Sequence, residues 1–301
     1  MTILRTLLFA PATSSRHVEK ALSGATGADG IILDLEDAVA IAEKPAARLA
    51  VRATLDARGK RGDGPLVFVR VNGLTTSYTY DDLCTAVGPG LDGIVLPKTE
   101  SAAQLATVDW LLRQLERAGG LPEGAIEVMP IVETAAGIAH LAEIAAATPR
   151  VRRLNFGAGD YSLDTSMTWV AGHEGILWAR IAVVNASRAA RLEQPIDTVY
   201  ARLDDMEGFA AETEQARRLG FQGKACIHPK QVSVVNDIFT PTEQEIAWAR
   251  RIVEAFAQAE AAGIASVTVD GQFVDYPIAY KAKRTLEIAA HIERLSISLR
   301  D

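Results

Sequence analysis

Residues 93–118 read GIVLPKTESAAQLATVDWLLRQLERA, and this stretch holds the repeating unit of the whole chain. Its first part, 93–98, is a short and nearly continuous apolar run. Strands buried on both faces have this composition, as in parallel sheets. From 101 to 118 the apolar residues recur at helical spacing with charges between them. That is the pattern of an amphipathic crossover helix.

Working outward, similar apolar runs lie upstream at 6–12, 30–36 and 66–72, and downstream at 126–133, 152–160, 195–201 and 221–228. Helical stretches such as 174–192 and 205–219 separate them. Eight strands, each followed by a helix, predict a closed parallel (β/α)8 barrel, the TIM-barrel fold, over residues 1–240. An open doubly wound sheet is the alternative. It usually has a glycine-rich phosphate turn after its first strand, whereas the first run here ends in APATSS. Residues 241–301 read as a C-terminal helical extension: a long helix, the Gly-containing segment VTVDGQFVDYPI, and a final helix over 278–298.

Bulk properties narrow the function. With 301 residues, 49% of them apolar, the chain can bury a large core. A net charge of −7 argues against nucleic acid as a partner, because such binding rests on clustered Lys and Arg. The two cysteines, Cys84 and Cys226, have no zinc-site spacing and are expected to be buried free thiols of a cytoplasmic protein. The N-terminal apolar stretch is too short to span a bilayer and reads as the first core strand, so neither a signal peptide nor a membrane partner is expected.

In such barrels the active site forms at the carboxyl ends of the strands. There the sequence places Asp34, Glu36 and Asp37 after the second run, Arg70 and Asn72 after the third, and Lys98 after the fourth. Glu133 follows the fifth, Asp160 the sixth, and Lys224 and His228 the eighth. Glu133 and Asp160 have the hard oxygen chemistry that Mg²⁺ prefers. The plainer alternative makes Glu133-Thr134 a helix cap and Asp160 a turn residue. Arg70 is either a substrate clamp or an ion-pair partner of Glu36 or Asp37. Lys98 and Lys224 read as rim charges, and His228 as a structural histidine.

Nine segments in order carry a resemblance: LRTLLFAPA (4–12), ADGIILDLEDAV (28–39), VRVN (69–72), GIVLPK (93–98), VETAAG (132–137), FGAGDYSLD (156–164), FQGKACIHPKQV (221–232), FTPTEQEI (239–246) and DGQFVDYP (270–277). The chain resembles the HpcH/HpaI aldolase/citrate lyase family, in its citrate lyase β-subunit-like branch with malyl-CoA and citramalyl-CoA lyases. The resemblance implies an oxo-acid lyase with Mg²⁺ as cofactor and Glu133 and Asp160 as its ligands. It further implies that Glu36 and Asp37 hold metal waters and orient the arginine, that Arg70 grips the reacting oxygens, and that Asp275 is a catalytic acid. Arg16 and Lys20 match positions that contact coenzyme A phosphates. The implied substrate is a 3-hydroxyacyl thioester of CoA or of an acyl-carrier partner. The implied assembly is a homotrimer or hexamer whose tail packs on the barrel and a neighbouring subunit. Ala12 stands where relatives commonly carry glycine. A thioesterase, a CoA-independent aldolase and a subunit needing a carrier partner are the alternatives.

Overall fold

The computed structural model describes residues 3–59, 64–168 and 174–298. They form two compact units, Leu4–Asn236 and a tail of Asp237–Asp301 with Met1–Ile3.

The first unit is a (β/α)8 barrel. Eight parallel strands close in sequence order: β1 (Thr6–Pro11), β2 (Gly30–Asp34), β3 (Leu66–Arg70), β4 (Gly93–Leu96), β5 (Glu127–Val132), β6 (Asn155–Phe156), β7 (Ile196–Asp197) and β8 (Gly223–Cys226). Side chains alternate along a strand, so every second residue enters the barrel. Leu7, Ile32, Phe68, Val95, Met129, Ile131, Ile196 and Ala225 pack there as one apolar cluster. The same alternation carries past it toward the carboxyl mouth: Ile32 leads to Asp34, Phe68 to Arg70, and Ile131 to Glu133. Apolar packing below thus positions charged groups above.

Two of the expected strands shrink to two residues each. The run at 152–160 contributes only β6, because Gly157 caps a helix that begins at once, Ala158–Asp164. Asp160 is therefore in the first turn of that helix, not at a strand end. The run at 195–201 contributes only β7. Where these ladders are short, buried charge ties strands to helices. Lys224 of β8 donates to Asp197 of β7 at 2.9 Å and to Glu212, and Arg180 donates to Asp197 at 2.8 Å. Lys224 is fully buried in this network, so the expectation of a rim charge is corrected. Losing one partner of such a buried set costs about 3–5 kcal/mol. Cys226 is buried, which pushes its thiol up to about 12, whereas Cys84 is exposed rather than buried as expected.

The tail unit pairs helix Glu243–Ala261 with helix Tyr276–Ser298. Thr242 and Glu245 form a reciprocal cap on the first of these. Between them β9 (Val267–Val269) and β10 (Gln272–Val274) form an antiparallel hairpin. Its two-residue turn, Asp270-Gly271, has φ of 50° and 78°. Both values are positive, as a type I′ turn requires, and glycine meets that demand without strain. Ala249, Ile252, Phe256, Val274, Ala279 and Ala282 form the core of this unit. No described helix is long and apolar enough to cross a membrane.

Candidate active site

Asp34 and Arg70 are register partners on β2 and β3, and both point into the barrel mouth. Arg70 Nε donates to Asp34 Oδ1 at 2.7 Å and Nη2 donates to Oδ2 at 2.5 Å, a forked pair. Nη1 lies 2.8 Å from Glu36 Oε2, paired by charge but off the hydrogen-bonding direction. The guanidinium carbon sits 4.9 Å from the centroid of the Phe9 ring, a cation–π contact. Burial alone would lower the Arg70 pKa, but Asp34, with the charges of Glu36 and Asp37, outweighs it, and the net direction is upward. Arg70 is a permanent cation. The sequence reading gave Asp37 a share in orienting this arginine, and the structure corrects that. Asp37 is exposed and acts only as a more distant charge. Asp34 does the holding, because the period of two turns residue 34 inward.

On the other side of the mouth, Glu133 is buried just beyond β5. The capping alternative falls to its neighbour: Thr134 accepts from Gly137 N at 3.0 Å and starts helix Ala135–Ala139. Glu133 is left free of that task. Its Oε1 accepts the backbone N–H of Lys98 at 2.8 Å. Lys98 stands just past β4 at φ 49°, a left-handed conformation costing on the order of 1–3 kcal/mol for a non-glycine residue. That conformation aims its amide at Glu133. Its Nζ donates to Glu36 Oε1 at 2.7 Å and lies 3.8 Å from Asp160 Oδ2. A Cβ on Gly157 would fall against Glu133 Oε2 and 2.7 Å from Glu133 Cβ, so only glycine leaves room for this carboxylate.

Burial pushes Glu133 up to about 8, the Lys98 amide opposes this, and the charges of Asp160 and Glu36 add to it. Burial also raises Glu36, against the pull of Arg70. Burial would lower Lys98, but its hydrogen bond to Glu36 leaves it raised. Glu133 is thus a desolvated carboxylate with another carboxylate nearby and no ion pair among the described residues. Such a pair is stabilised by a cation with hard-oxygen preference. Among the described residues no group of three or more His, Cys, Asp or Glu side chains is placed to enclose a metal. One or two carboxylates, with water and substrate oxygens completing the shell, is the donor set magnesium usually takes. Glu133 and Asp160 fit it.

A second feature lies beside β1. A cavity of about 450 Å³ is lined by Phe9, Pro11, His17, Lys20, His228 and Lys230, among others. Phe9 therefore touches both this basic cavity and Arg70. Arg16 and Lys20 are exposed on helix Ser15–Leu22, and Lys20 reaches the cavity wall. His228 Nδ1 accepts from Lys230 N at 3.1 Å, a local tie consistent with a structural histidine. Ala12 is buried, and its N–H donates to the Asp34 carbonyl at 3.2 Å, extending the β1–β2 ladder. A larger hollow of about 680 Å³ on the outer layer holds no such cluster, and Arg58 on its wall is tied to Asp92. Asp275 belongs to the tail unit, where its Oδ1 accepts from Ile278 N at 3.3 Å at the start of the last helix.

Two site residues escaped the sequence reading. Asp34 was placed at the rim but given no role, although alternation from Ile32 points to it. Lys98 was set aside as a rim charge. No sequence pattern signals its left-handed backbone.

Comparison with known proteins identifies the family. The HpcH/HpaI aldolase/citrate lyase family matches over residues 5–229, and a family described as C-C bond lyase of the TIM-barrel fold matches over 179–289. Citrate lyase subunit beta of Leuconostoc mesenteroides subsp. cremoris is 37% identical over 95% of this chain and 93% of its own. L-malyl-CoA/beta-methylmalyl-CoA lyase of Cereibacter sphaeroides is 37% identical over 90% of each chain. The crystal structure of protein CitE from Mycobacterium tuberculosis, in complex with magnesium, acetoacetate and coenzyme A, superposes with a TM-score of 0.75 at 32% identity, covering 96% of this chain and 98% of that one. With a closed barrel, an acid-rich mouth and relatives matched along nearly its whole length, this chain belongs to the HpcH/HpaI aldolase/citrate lyase family of enzymes.

Proposed function

We propose that this protein is a Mg²⁺-dependent carbon–carbon lyase that cleaves a 3-hydroxyacyl-CoA thioester of the malyl, citramalyl or citryl type into acetyl-CoA and a 2-oxo acid. The observation that carries the reading is the buried Glu133 carboxylate beside Asp160, in the same barrel mouth as the permanent cation Arg70. The relatives' names and the magnesium and coenzyme A in the CitE complex support the substrate class.

Glu133 and Asp160 would hold the ion, and Glu36 would orient waters around it. When bound, Mg²⁺ supplies Lewis acidity and a template for the oxygens of the 2-hydroxy acid portion. Arg70, fixed in orientation by Asp34 and Phe9, grips the reacting oxygens and faces the negative charge that develops as the carbon–carbon bond breaks. Its preset geometry avoids reorganisation at that moment. As the bond breaks the hydroxyl proton passes to water, and the thioester enolate left behind takes a proton at carbon from Asp275, supplied by the tail of a neighbouring copy in a trimer or hexamer and reprotonated from water. Lys20 and Arg16 would take the CoA phosphates, with the cavity beside β1 receiving the carrier arm.

The test is a panel of malyl-, citramalyl- and citryl-CoA given to the purified chain with and without Mg²⁺. Acetyl-CoA plus a 2-oxo acid, formed only with Mg²⁺ and abolished in Glu133→Ala and Asp160→Ala, is the expected result. Release of free CoA with the acyl skeleton intact would identify a thioesterase instead. Full activity in either variant would remove the metal assignment.

A further inference from the structure

Lys98 is bound to three of the acids at the mouth by two different parts of itself. Its backbone amide holds Glu133 at 2.8 Å. Its ammonium holds Glu36 at 2.7 Å and stands 3.8 Å from Asp160. The first contact depends only on the left-handed backbone at φ 49°. The second depends only on the side chain, which is 40% exposed and sits on a flexible four-carbon stem.

The charges around it are unevenly matched. Asp34 is fully engaged by the Arg70 fork. Glu36 is shared between Arg70 and Lys98. Among the described residues Glu133 receives an amide but no ion pair, and the one cation near Asp160 is Lys98. A divalent ion held by Glu133 and Asp160 would share Asp160 with this ammonium and sit within a few ångströms of it. Two cations at that separation repel strongly, even with partial solvent screening. The ammonium must then lean toward Glu36 or swing into water, and its exposure permits either.

We propose that Lys98 is a built-in competing cation. Its ammonium neutralises the acid cluster before the divalent ion arrives and holds the affinity for that ion down, while its backbone keeps Glu133 in place throughout. This is a positioning and tuning role, and it rests on the reading of Glu133 and Asp160 as the Mg²⁺ ligands. The opposing role, an ammonium that organises Glu36 and Asp160 for the metal, requires its removal to weaken binding.

The two roles predict opposite signs in one measurement. Mg²⁺ is titrated calorimetrically into the whole purified chain, without substrate, for wild type, Lys98→Met and Lys98→Gly. Circular dichroism checks that each variant is folded. Glycine accepts positive φ freely, so Lys98→Gly preserves the backbone geometry even if methionine shifts it. Binding at least ~10-fold tighter in both variants is expected, from removal of one nearby positive charge. Equal or weaker binding in the folded variants, with wild type binding normally, overturns the proposal and leaves the metal site standing. No Mg²⁺ binding in any of the three proteins overturns both.

Discussion

Asp34 and Arg70 face each other at the same level of two adjacent strands and join through the Nε–Nη2 edge of the guanidinium, so the main cation of the site is oriented by its strand neighbour. Phe9 closes the third side by lying against the guanidinium. An arginine held this way presents one fixed face to the mouth.

Asp34→Asn is therefore expected to lower kcat by ~10²-fold, because a small misplacement of a clamping group has effects of that size. The buried pair would also lose about 3–5 kcal/mol of stability. Arg70→Lys should be at least as damaging to activity, since a lysine cannot form the fork. Steady-state kinetics with the best substrate of the thioester panel, alongside urea unfolding, checks both. A kcat within twofold of wild type for Asp34→Asn would show that Glu36 and Phe9 suffice to hold the arginine.

Gly157→Ala is the steric probe of the metal site. The added methyl group would be driven into Glu133 and 3.0 Å from Ile131 Cγ2. Glu133 must rotate away, whereas the barrel need not open. Mg²⁺ affinity is expected to fall at least ~10-fold with an unchanged far-ultraviolet spectrum. Calorimetric titration measures it, and wild-type affinity would mean that Glu133 is not a ligand.

Acid–base behaviour gives an independent handle. Glu133 is raised to about 8 from an ordinary 4.5. Without divalent ions the folded chain holds this proton between those values and the unfolded chain does not. Its contribution to stability is full below about pH 4.5 and is lost as pH climbs toward 8, by up to about 1.4 kcal/mol per pH unit. Mg²⁺ should flatten the decline by binding the ionised carboxylate, and Glu133→Gln should make it shallower, leaving the part due to Glu36. Urea unfolding across that range, with EDTA or with Mg²⁺, reads the slope. An identical slope in wild type and Glu133→Gln would show that another group titrates.

The barrel was legible because its signal is repeated: eight apolar runs, each followed by a helical stretch, leave few other topologies. Glu133 and Arg70 were legible as polar residues at the carboxyl ends of apolar runs, and the resemblance supplied the roles proposed for them. Asp160 was placed one element early, since an apolar run does not reveal that Gly157 ends the strand and caps a helix. Asp37 was preferred to Asp34 because a motif shows which acids are present but not which way they turn. Lys98 owes its reach to a backbone angle that a lysine rarely adopts, and residue type alone does not announce it. In the tail, Asp270-Gly271 lies between valine-bearing strands, and that dipeptide signals a hairpin more sharply than glycine alone.

The groups at the mouth come from separate stretches of chain: the ends of β2 and β3, the turn beyond β4, the end of β5 and the helix after β6. Neither half of the barrel, β1 to β4 or β5 to β8, contains the set. Truncation at any of these joints removes the chemistry all at once instead of weakening it by degrees.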